Sequence, residues 1–265
     1  MPEGHTIHRL VRNHTPLLVG RPVSMSSPQG RFATGAELLT GRVCHRIEAG
    51  GKHLFYAFEG DLLLHVHLGL YGSWLVGVGE PPVPKGALRL RMTADDAWMD
   101  LRGPTACEVM TPAERDAVFA RLGPDPLRKD AQPELAWTRL SRSRAPVGQL
   151  LMDQSVLAGI GNVYRAELLF RAGLSPFRPG REVDRSTFDA LWEDTRMLMR
   201  AGVRAGRIVT TLAEDRERPT GRVGRWDAHY VYRRTELPCR RCGTEIRTQV
   251  MAGRNLFWCP QCQLS

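Results

Sequence analysis

The sequence predicts an α+β multidomain fold. An antiparallel β-sandwich or barrel comes first, helices follow, and a cysteine-rich hairpin closes the chain. Short strand-like runs broken by Gly and Pro clusters extend from Arg21 to about Val109. The apolar residues take on a helical period after about residue 132. The last 27 residues contain two Cys-x2-Cys pairs.

The N-terminal half is predicted to begin with an amphipathic helix over residues 4–19, ended by Gly20. The strand-like runs are Lys52–Phe58, Leu62–Leu68, Ser73–Val78 and Ala87–Met92. Several short strands at this spacing are typical of an antiparallel sandwich or barrel. A capping box formed by Thr111 and Glu114, with Pro112 in the first turn, predicts a helix after them.

The C-terminal half is predicted to be mostly helical. A Gly- and Pro-rich stretch that begins at Gly123 is typical of an interdomain linker. Helices are predicted over Val147–Gln154, over Val163–Ala172 and along a face with Phe188, Leu191, Trp192, Thr195, Leu198 and Met199. Residues 203–227 lack a period, which predicts a mobile loop. The predicted bounds are 1–122 for the first domain, 123–132 for the linker, 133–231 for the second domain and 232–265 for the third.

The charge balance favours a polyanionic partner. The 265 residues include 37 Lys and Arg against 28 Asp and Glu, a net charge of +9. This excess favours nucleic acid ahead of an acidic membrane. No stretch approaches the ~18 apolar residues of a membrane span, and no charged and then apolar leader opens the chain. We therefore expect a soluble, cytoplasmic protein.

The cysteine spacing predicts a metal site. Cys44 and Cys107 are isolated and are expected to be plain buried thiols. The paired cysteines are Cys239, Cys242, Cys259 and Cys262, with 16 residues between the pairs. Two such knuckles place four thiolates around one structural zinc ion, whereas disulfides are rare in the cytosol.

The first residues carry chemistry of their own. Removal of Met1 would leave Pro2 as a secondary amine beside the Glu3 carboxylate. An α-amino group titrates near pH ~7.7–8.0, so part of it is a free nucleophile at neutral pH. Its attack on a carbonyl-like carbon gives an iminium directly, and Glu3 could move protons at that centre. Many chains begin Met-Pro without such a role, so this start needs support from the rest of the chain.

Three polar residues are candidates for contact with phosphate. The Gly159–Asn162 turn precedes a helix, so its amides and the Asn162 side chain are expected to point outward as an anion site; an ordinary turn capped by Asn fits equally well. Arg254 is predicted at a hairpin tip between the cysteine pairs, and Lys52 at a strand start after two glycines. Either cation could bind phosphate or remain solvated.

Leu70 and Tyr71 place two large apolar side chains on a turn between Gly69 and Gly72. Core packing is the usual fate of such a pair. Insertion into a stack of bases is the alternative.

Several short stretches follow one another in a distinctive order. They are Pro2-Glu3-Gly4, Gly51-Lys52-His53, His67-Leu68-Gly69-Leu70-Tyr71-Gly72, Leu122–Leu127, Leu151–Gln154, Ala158–Tyr164, Phe170–Gly173 and the four-cysteine segment. Together, and over the whole chain, they resemble the Fpg/Nei (formamidopyrimidine-DNA glycosylase / endonuclease VIII) family of DNA repair enzymes. The resemblance implies an N-terminal β-sandwich, a helix-two-turn-helix domain and a zinc-finger β-hairpin, with DNA in the cleft between them.

The resemblance implies a bifunctional DNA glycosylase/AP lyase of base excision repair. Pro2 would attack C1′ of the damaged nucleotide, Glu3 would transfer protons, and Lys52 would assist at the sugar and bind phosphate. A base must leave the stack before an enzyme can reach its C1′. The iminium formed on base loss makes the C2′ proton acidic, so the strand is expected to break by β,δ-elimination.

The resemblance also assigns the residues that would bind DNA. Asn162 and Arg254 match phosphate contacts beside the lesion, and Leu70 and Tyr71 match the residues that fill the gap left by the extruded base. The expected partner is damaged double-stranded DNA, and single-stranded DNA is a further candidate. The protein is expected to be a monomer that associates with the nucleoid when it acts on DNA.

Two departures from the guanine-directed branch bear on the substrate. His5 and Thr6 follow Gly4 where that branch has Leu-Pro-Glu, and Asp100–Pro104 replaces its Asp-Pro-Arg-Arg-Phe turn. Both favour the endonuclease VIII branch, which is associated with oxidised pyrimidines. The loop at 203–227, where the family often contacts the flipped base, matches neither branch, so the lesion preference stays open. A non-catalytic damaged-DNA-binding protein and an AP lyase without glycosylase activity are the alternatives.

Overall fold

The computed structural model describes residues 2–264, and the chain divides into two compact units. One unit ends at Arg121 and the other begins at Leu122. None of the described helices is long and apolar enough to cross a membrane.

The first unit is a β-sandwich with flanking helices. Its helices are α1 (Gly4–Leu18), α2 (Ala33–Leu39) and α3 (Pro112–Arg121). Its strands are β1 (Ser24–Ser26), β2 (Cys44–Gly50), β3 (His53–Phe58), β4 (Leu62–His67), β5 (Ser73–Val78), β6 (Leu88–Ala94), β7 (Ala97–Arg102) and β8 (Ala106–Met110). One antiparallel sheet has the strand order β1-β6-β7-β5 and the other β2-β3-β4-β8. Both sheets and α1 contribute to one apolar core, with Ile7, Leu54 and Leu90 among its members.

The four predicted strand runs correspond to β3, β4, β5 and β6, while β1, β2, β7 and β8 lie outside those runs. In β7 the reason is visible, because a carboxylate interrupts the apolar alternation. Asp100 is fully buried, and its two oxygens accept hydrogen bonds from the Arg91 guanidinium at 2.7 and 2.8 Å. A buried charge paired in this way is compatible with a central strand.

The second unit is helical and ends in a two-stranded hairpin. Its elements are α4 (Pro133–Ser141), α5 (Val147–Leu150), α6 (Asn162–Arg171), α7 (Arg185–Ala205), β9 (Arg247–Met251) and β10 (Arg254–Trp258). Helix α7 extends three residues into the predicted loop 203–227. It ends at Ala205 because Gly206 adopts the left-handed conformation (φ 72°) that ends helices. The predicted linker 123–132 falls inside this unit, and the Gly123 N–H donates to the Gln154 carbonyl oxygen at 2.8 Å. The predicted domain bounds themselves stay a prediction.

Helix α5 is shorter than the predicted helix over Val147–Gln154. Its continuation is replaced by side-chain hydrogen bonds to the backbone, which compete with helix formation. The Asp153 carboxylate accepts the Ser155 N–H at 2.8 Å, and the Gln154 amide oxygen accepts the Gly159 N–H at 3.0 Å. Turns therefore fill the stretch between α5 and α6, which gives the expected helix-two-turn-helix arrangement.

Candidate active site and nucleic-acid interface

The predicted amine and carboxylate lie at the start of α1. Pro2 is half-buried, and Glu3 is fully buried as the N-cap of the helix, where it shares a capping box with Thr6. The Glu3 N–H donates to the Thr6 hydroxyl at 3.4 Å. Met1, whose removal the mechanism requires, lies outside the described residues.

Lys52 lies in the two-residue turn that joins β2 to β3. Gly51 has φ 58°, as a tight hairpin turn requires, and Gly50 pairs with His53 across the turn. A Cβ on Gly50 would come within 2.6 Å of the Phe119 ring, so a larger residue there would displace that ring. Helix α1 packs against β2 and β3. The amine, the carboxylate and the lysine are therefore carried by adjoining elements of one unit.

A row of imidazoles that was not predicted from the sequence lies beside Lys52. His53 Nδ1 is 2.9 Å from His65 Nε2, and His65 Nδ1 is 2.8 Å from the Glu108 carboxylate. Burial, followed by unfavourable electrostatic interactions with His65, His67, Arg121 and Lys52, lowers the pKa of His53 to about 3. These histidines are thus neutral at neutral pH, and they add no positive charge beside Lys52.

The pairing register of β3 with β4 explains why these imidazoles lie together. His53 faces His67 across the β3–β4 pair, and His65 lies two residues from His67 on the same face of β4. The pKa of His67 is also lowered, first by burial and then by His65 and Lys52. Once the hairpin register is known, the three rings are expected to meet.

Leu70 and Tyr71 are exposed rather than packed in the core. Tyr71 is 89% exposed and Leu70 42%, on the turn that follows β4. Gly69 has φ 64°, and a Cβ there would collide with the Thr105 hydroxyl, so the turn depends on glycine. The fold thus presents two large apolar side chains to solvent on a constrained turn. Such a pair is suited to insertion between bases.

The Asn162 side chain is buried, whereas the sequence predicted that it would point outward. Asn162 is the first residue of α6 and is only 6% exposed. Its Nδ2 donates to the Asn255 carbonyl oxygen at 2.9 Å, and its Oδ1 accepts a hydrogen bond from Arg165. The side chain therefore joins the start of α6 to the C-terminal hairpin. Its role in binding phosphate stays a prediction.

Arg165 completes this junction and was also missed. Its side chain is fully buried, and its guanidinium donates to the carbonyl oxygens of Met251 at 3.1 Å and Asn255 at 3.3 Å. These two residues flank the turn and Arg254, which is the half-buried first residue of β10. The fold thus brings Asn162 and Arg254 to one junction. The available signal was the position of Arg165 three residues after Asn162, which places both side chains on one face of α6.

The four paired cysteines converge as predicted. Their sulfurs all lie within 4.8 Å of one another, and the Cys239–Cys262 and Cys242–Cys259 sulfur distances are 3.8 and 3.5 Å. Tetrahedral zinc with Zn–S bonds of about 2.3 Å places its sulfurs about 3.8 Å apart. The residues therefore fit one structural zinc ion, with no position left for water or substrate.

The predicted site residues are divided between the units. Those of the first unit are Pro2, Glu3, Lys52, Leu70 and Tyr71, and those of the second are Asn162, Arg254 and the four paired cysteines. The first group can supply an amine, a carboxylate and an apolar wedge. The second group combines a cation with a metal-stabilised hairpin.

Three family models match successive parts of the chain. The formamidopyrimidine-DNA glycosylase N-terminal domain matches residues 1–107, the formamidopyrimidine-DNA glycosylase H2TH domain matches 122–214, and the zinc finger found in FPG and IleRS matches 236–264. Endonuclease 8 1 of Mycobacterium tuberculosis is 52% identical over 268 residues, covering 99% of this chain and 100% of its own. Endonuclease 8 of Escherichia coli is 32% identical, covering 99% of this chain and 100% of its own.

Solved structures share the fold. A complex of Lactococcus lactis Fpg with DNA containing an oxidised pyrimidine superposes with a TM-score of 0.83 at 24% identity, over 100% of both chains. A complex of the same enzyme with DNA containing an abasic site superposes with a TM-score of 0.82 at 24% identity, over 99% of this chain and 100% of the Lactococcus lactis chain. The similarity confirms the multidomain α+β architecture.

Proposed function

This chain belongs to the Fpg/Nei family of bifunctional DNA glycosylase/AP lyases of base excision repair, in its endonuclease VIII-like branch, and from this premise we propose that it excises oxidised pyrimidines through Pro2. The observation that carries the proposal is the Pro2-Glu3 pair held at the start of α1, in a chain 52% identical over its whole length to an endonuclease 8.

The proposed reaction begins with the amine that Pro2 gains when Met1 is removed. Its nitrogen bonds to C1′ of the damaged nucleotide, the bond from C1′ to the base breaks, and the base leaves with the electron pair and a proton. Glu3 transfers protons at the sugar during these steps. Lys52 assists there and binds phosphate. Bound zinc holds the hairpin and takes no part in bond-making, because its four thiolates leave no open position.

Strand cleavage proceeds through an iminium, which forms when the bonded nitrogen loses its proton, its lone pair displaces O4′ from C1′, and O4′ takes up a proton to become a hydroxyl. The positive nitrogen acidifies the C2′ proton, and its removal expels the 3′ phosphate in β-elimination. A second elimination expels the 5′ phosphate, and hydrolysis releases the sugar from Pro2. We propose damaged double-stranded DNA as the principal substrate, single-stranded DNA as a second, and a monomer as the acting form in the nucleoid.

A panel of lesion duplexes tests this function. Excision rates are measured under single-turnover conditions on DNA with an oxidised pyrimidine, an oxidised purine or an abasic site. Fastest base release from the pyrimidine lesion is expected. Cleavage of the abasic duplex with no base release from the other two would instead identify an AP lyase without glycosylase activity.

Leu70 and Tyr71 are expected to act on base extrusion rather than on bond-making. Unstacking a base costs a few kcal/mol, which an inserted side chain offsets. The Leu70→Ala/Tyr71→Ala protein should therefore excise about tenfold more slowly from a paired duplex, if the lost insertion corresponds to about 1.4 kcal/mol. It should act almost normally on an abasic site in single-stranded DNA. Leu75→Ala, at an exposed position of β5, is the control; equal losses on both substrates would contradict this role.

Arg254 is expected to bind phosphate without reading a base. Arg254→Ala should weaken binding to damaged and undamaged duplexes alike and reduce the slope of log K against log salt by about 0.9. Titrations at several salt concentrations measure both quantities. Arg247→Ala, an exposed arginine of β9, is the matched control. A changed lesion preference at unchanged affinity would show instead that Arg254 reads the base.

A further inference from the structure

The zinc knuckle carries two arginines, Arg240 and Arg241. Their side chains contact the segment 215–230, which precedes the knuckle in the sequence. The Arg240 side chain is only 5% exposed and forms an ion pair with Asp227 at 3.1 Å. Its Nε donates to the His229 carbonyl oxygen at 3.2 Å, and its Nη2 donates to the carbonyl oxygen of Trp226. One residue of the knuckle thus fixes three residues of that segment.

Arg241 contacts the start and the end of the same segment. Its guanidinium lies over the rings of Phe170 and Tyr230, at 5.1 and 4.9 Å from their centroids. It also forms an ion pair with Asp215 at 3.6 Å. The Tyr230 hydroxyl donates to the same carboxylate, so Asp215 is held by two groups.

The base of the segment is closed by buried hydrogen bonds. The Thr210 N–H donates to the Ala228 carbonyl oxygen at 2.9 Å. The fully buried Glu167 carboxylate accepts hydrogen bonds from the Thr210 hydroxyl and, at 2.7 Å, from the Tyr230 N–H. The two ends of the segment are therefore fastened together.

Residues 216–226, here named the arginine loop, lie between these anchors. Most of the loop is exposed, including Arg218, Arg222 and Arg225, and Trp226 is 76% exposed. Arginines combined with an exposed indole suit a nucleic-acid strand, because guanidinium groups bind phosphates and aromatic rings stack on bases. The net charge of +9 favours the same partner.

We propose that Arg240 and Arg241 are positioning residues through which the zinc knuckle holds the arginine loop for contact with DNA. The choice of DNA as the partner rests on the proposed function. The attachment of the arginine loop to the knuckle through Arg240 and Arg241, here named the clamp, rests on the contacts described above. The zinc site then supports two parts of the DNA-binding surface, the hairpin that carries Arg254 and the arginine loop.

Hydrogen exchange measured by mass spectrometry on the zinc-loaded protein without DNA tests the clamp. Arg240→Ala removes a buried ion pair, so exchange over residues 212–229 should accelerate at least about tenfold. Exchange over β9 and β10 should stay unchanged, with one zinc per protein. Arg247→Ala should leave the loop as in the unsubstituted protein. Loop exchange equal in the two variants would overturn the clamp.

The contact with DNA is tested separately. Arg222→Ala/Arg225→Ala should weaken DNA binding about tenfold or more and reduce the salt slope by about 2, as expected for two lost phosphate contacts. Unchanged affinity and slope would overturn the contact. If the unsubstituted protein bound no DNA, the proposed function would fail, while the exchange experiment would still decide the clamp.

Discussion

Glu3→Gln is expected to lower the rate of base excision at least about 100-fold, since general acid–base groups contribute 10²–10⁴-fold. Glutamine retains the size of the side chain at the start of α1 but cannot transfer a proton. An abasic site has no base to release, and its cyclic sugar is in equilibrium with the open aldehyde that the amine attacks, so its cleavage should fall much less. Single-turnover rates on a lesion duplex and on an abasic duplex measure the difference.

Glu37→Gln is the matched control, because Glu37 is exposed on α2. It should leave both rates unchanged. The thermal unfolding midpoint of each variant shows whether the fold is kept, since Glu3 also caps a helix. If Glu3→Gln retained base excision within a few-fold of the original rate, Glu3 would not be the proton-transfer group.

Loss of one zinc ligand is expected to have the second largest effect. Cys239→Ser leaves three thiolates, and structural zinc supplies about 10–16 kcal/mol in small zinc-finger peptides. The protein should therefore lose its zinc and most of its DNA affinity, because the hairpin that carries Arg254 is no longer held. The sandwich unit has its own core and should keep its fold.

Metal analysis and DNA titration on the same preparations check this prediction. Cys107→Ser is the control, because Cys107 lies in β8 of the other unit. It should retain one zinc per protein and normal affinity. A zinc-free Cys239→Ser protein that bound DNA as tightly as the original would contradict the proposed role of the metal.

The parts of the site that depend on neighbouring residues could be predicted from the sequence. The knuckle spacing predicted the cysteine cluster, and Gly50 and Gly51 indicated a turn beside Lys52. The turn at Leu70 and Tyr71 was left between two alternatives, and the structure exposes both side chains instead of packing them in the core; insertion between bases stays a prediction. In each case the physical cause is local, either a backbone conformation that needs glycine or a short ligand spacing.

The parts that depend on distant residues could not be predicted. The orientation of Asn162 is set by Arg165 and by the carbonyl oxygen of Asn255, 93 residues away along the chain. The link between His65 and Glu108 needs the pairing of β4 with β8. Buried polar networks of this kind are visible only once the strands and helices are placed.

Trapping with borohydride tests the central claim, that Pro2 is the nucleophile, most directly. Reduction of the iminium during reaction with an abasic duplex should join enzyme and DNA permanently, and peptide mapping should find the crosslink on an N-terminal peptide that begins with Pro2. Retention of Met1 or acetylation of the terminus should abolish it. A crosslink at Lys52 or at any other lysine would contradict the account.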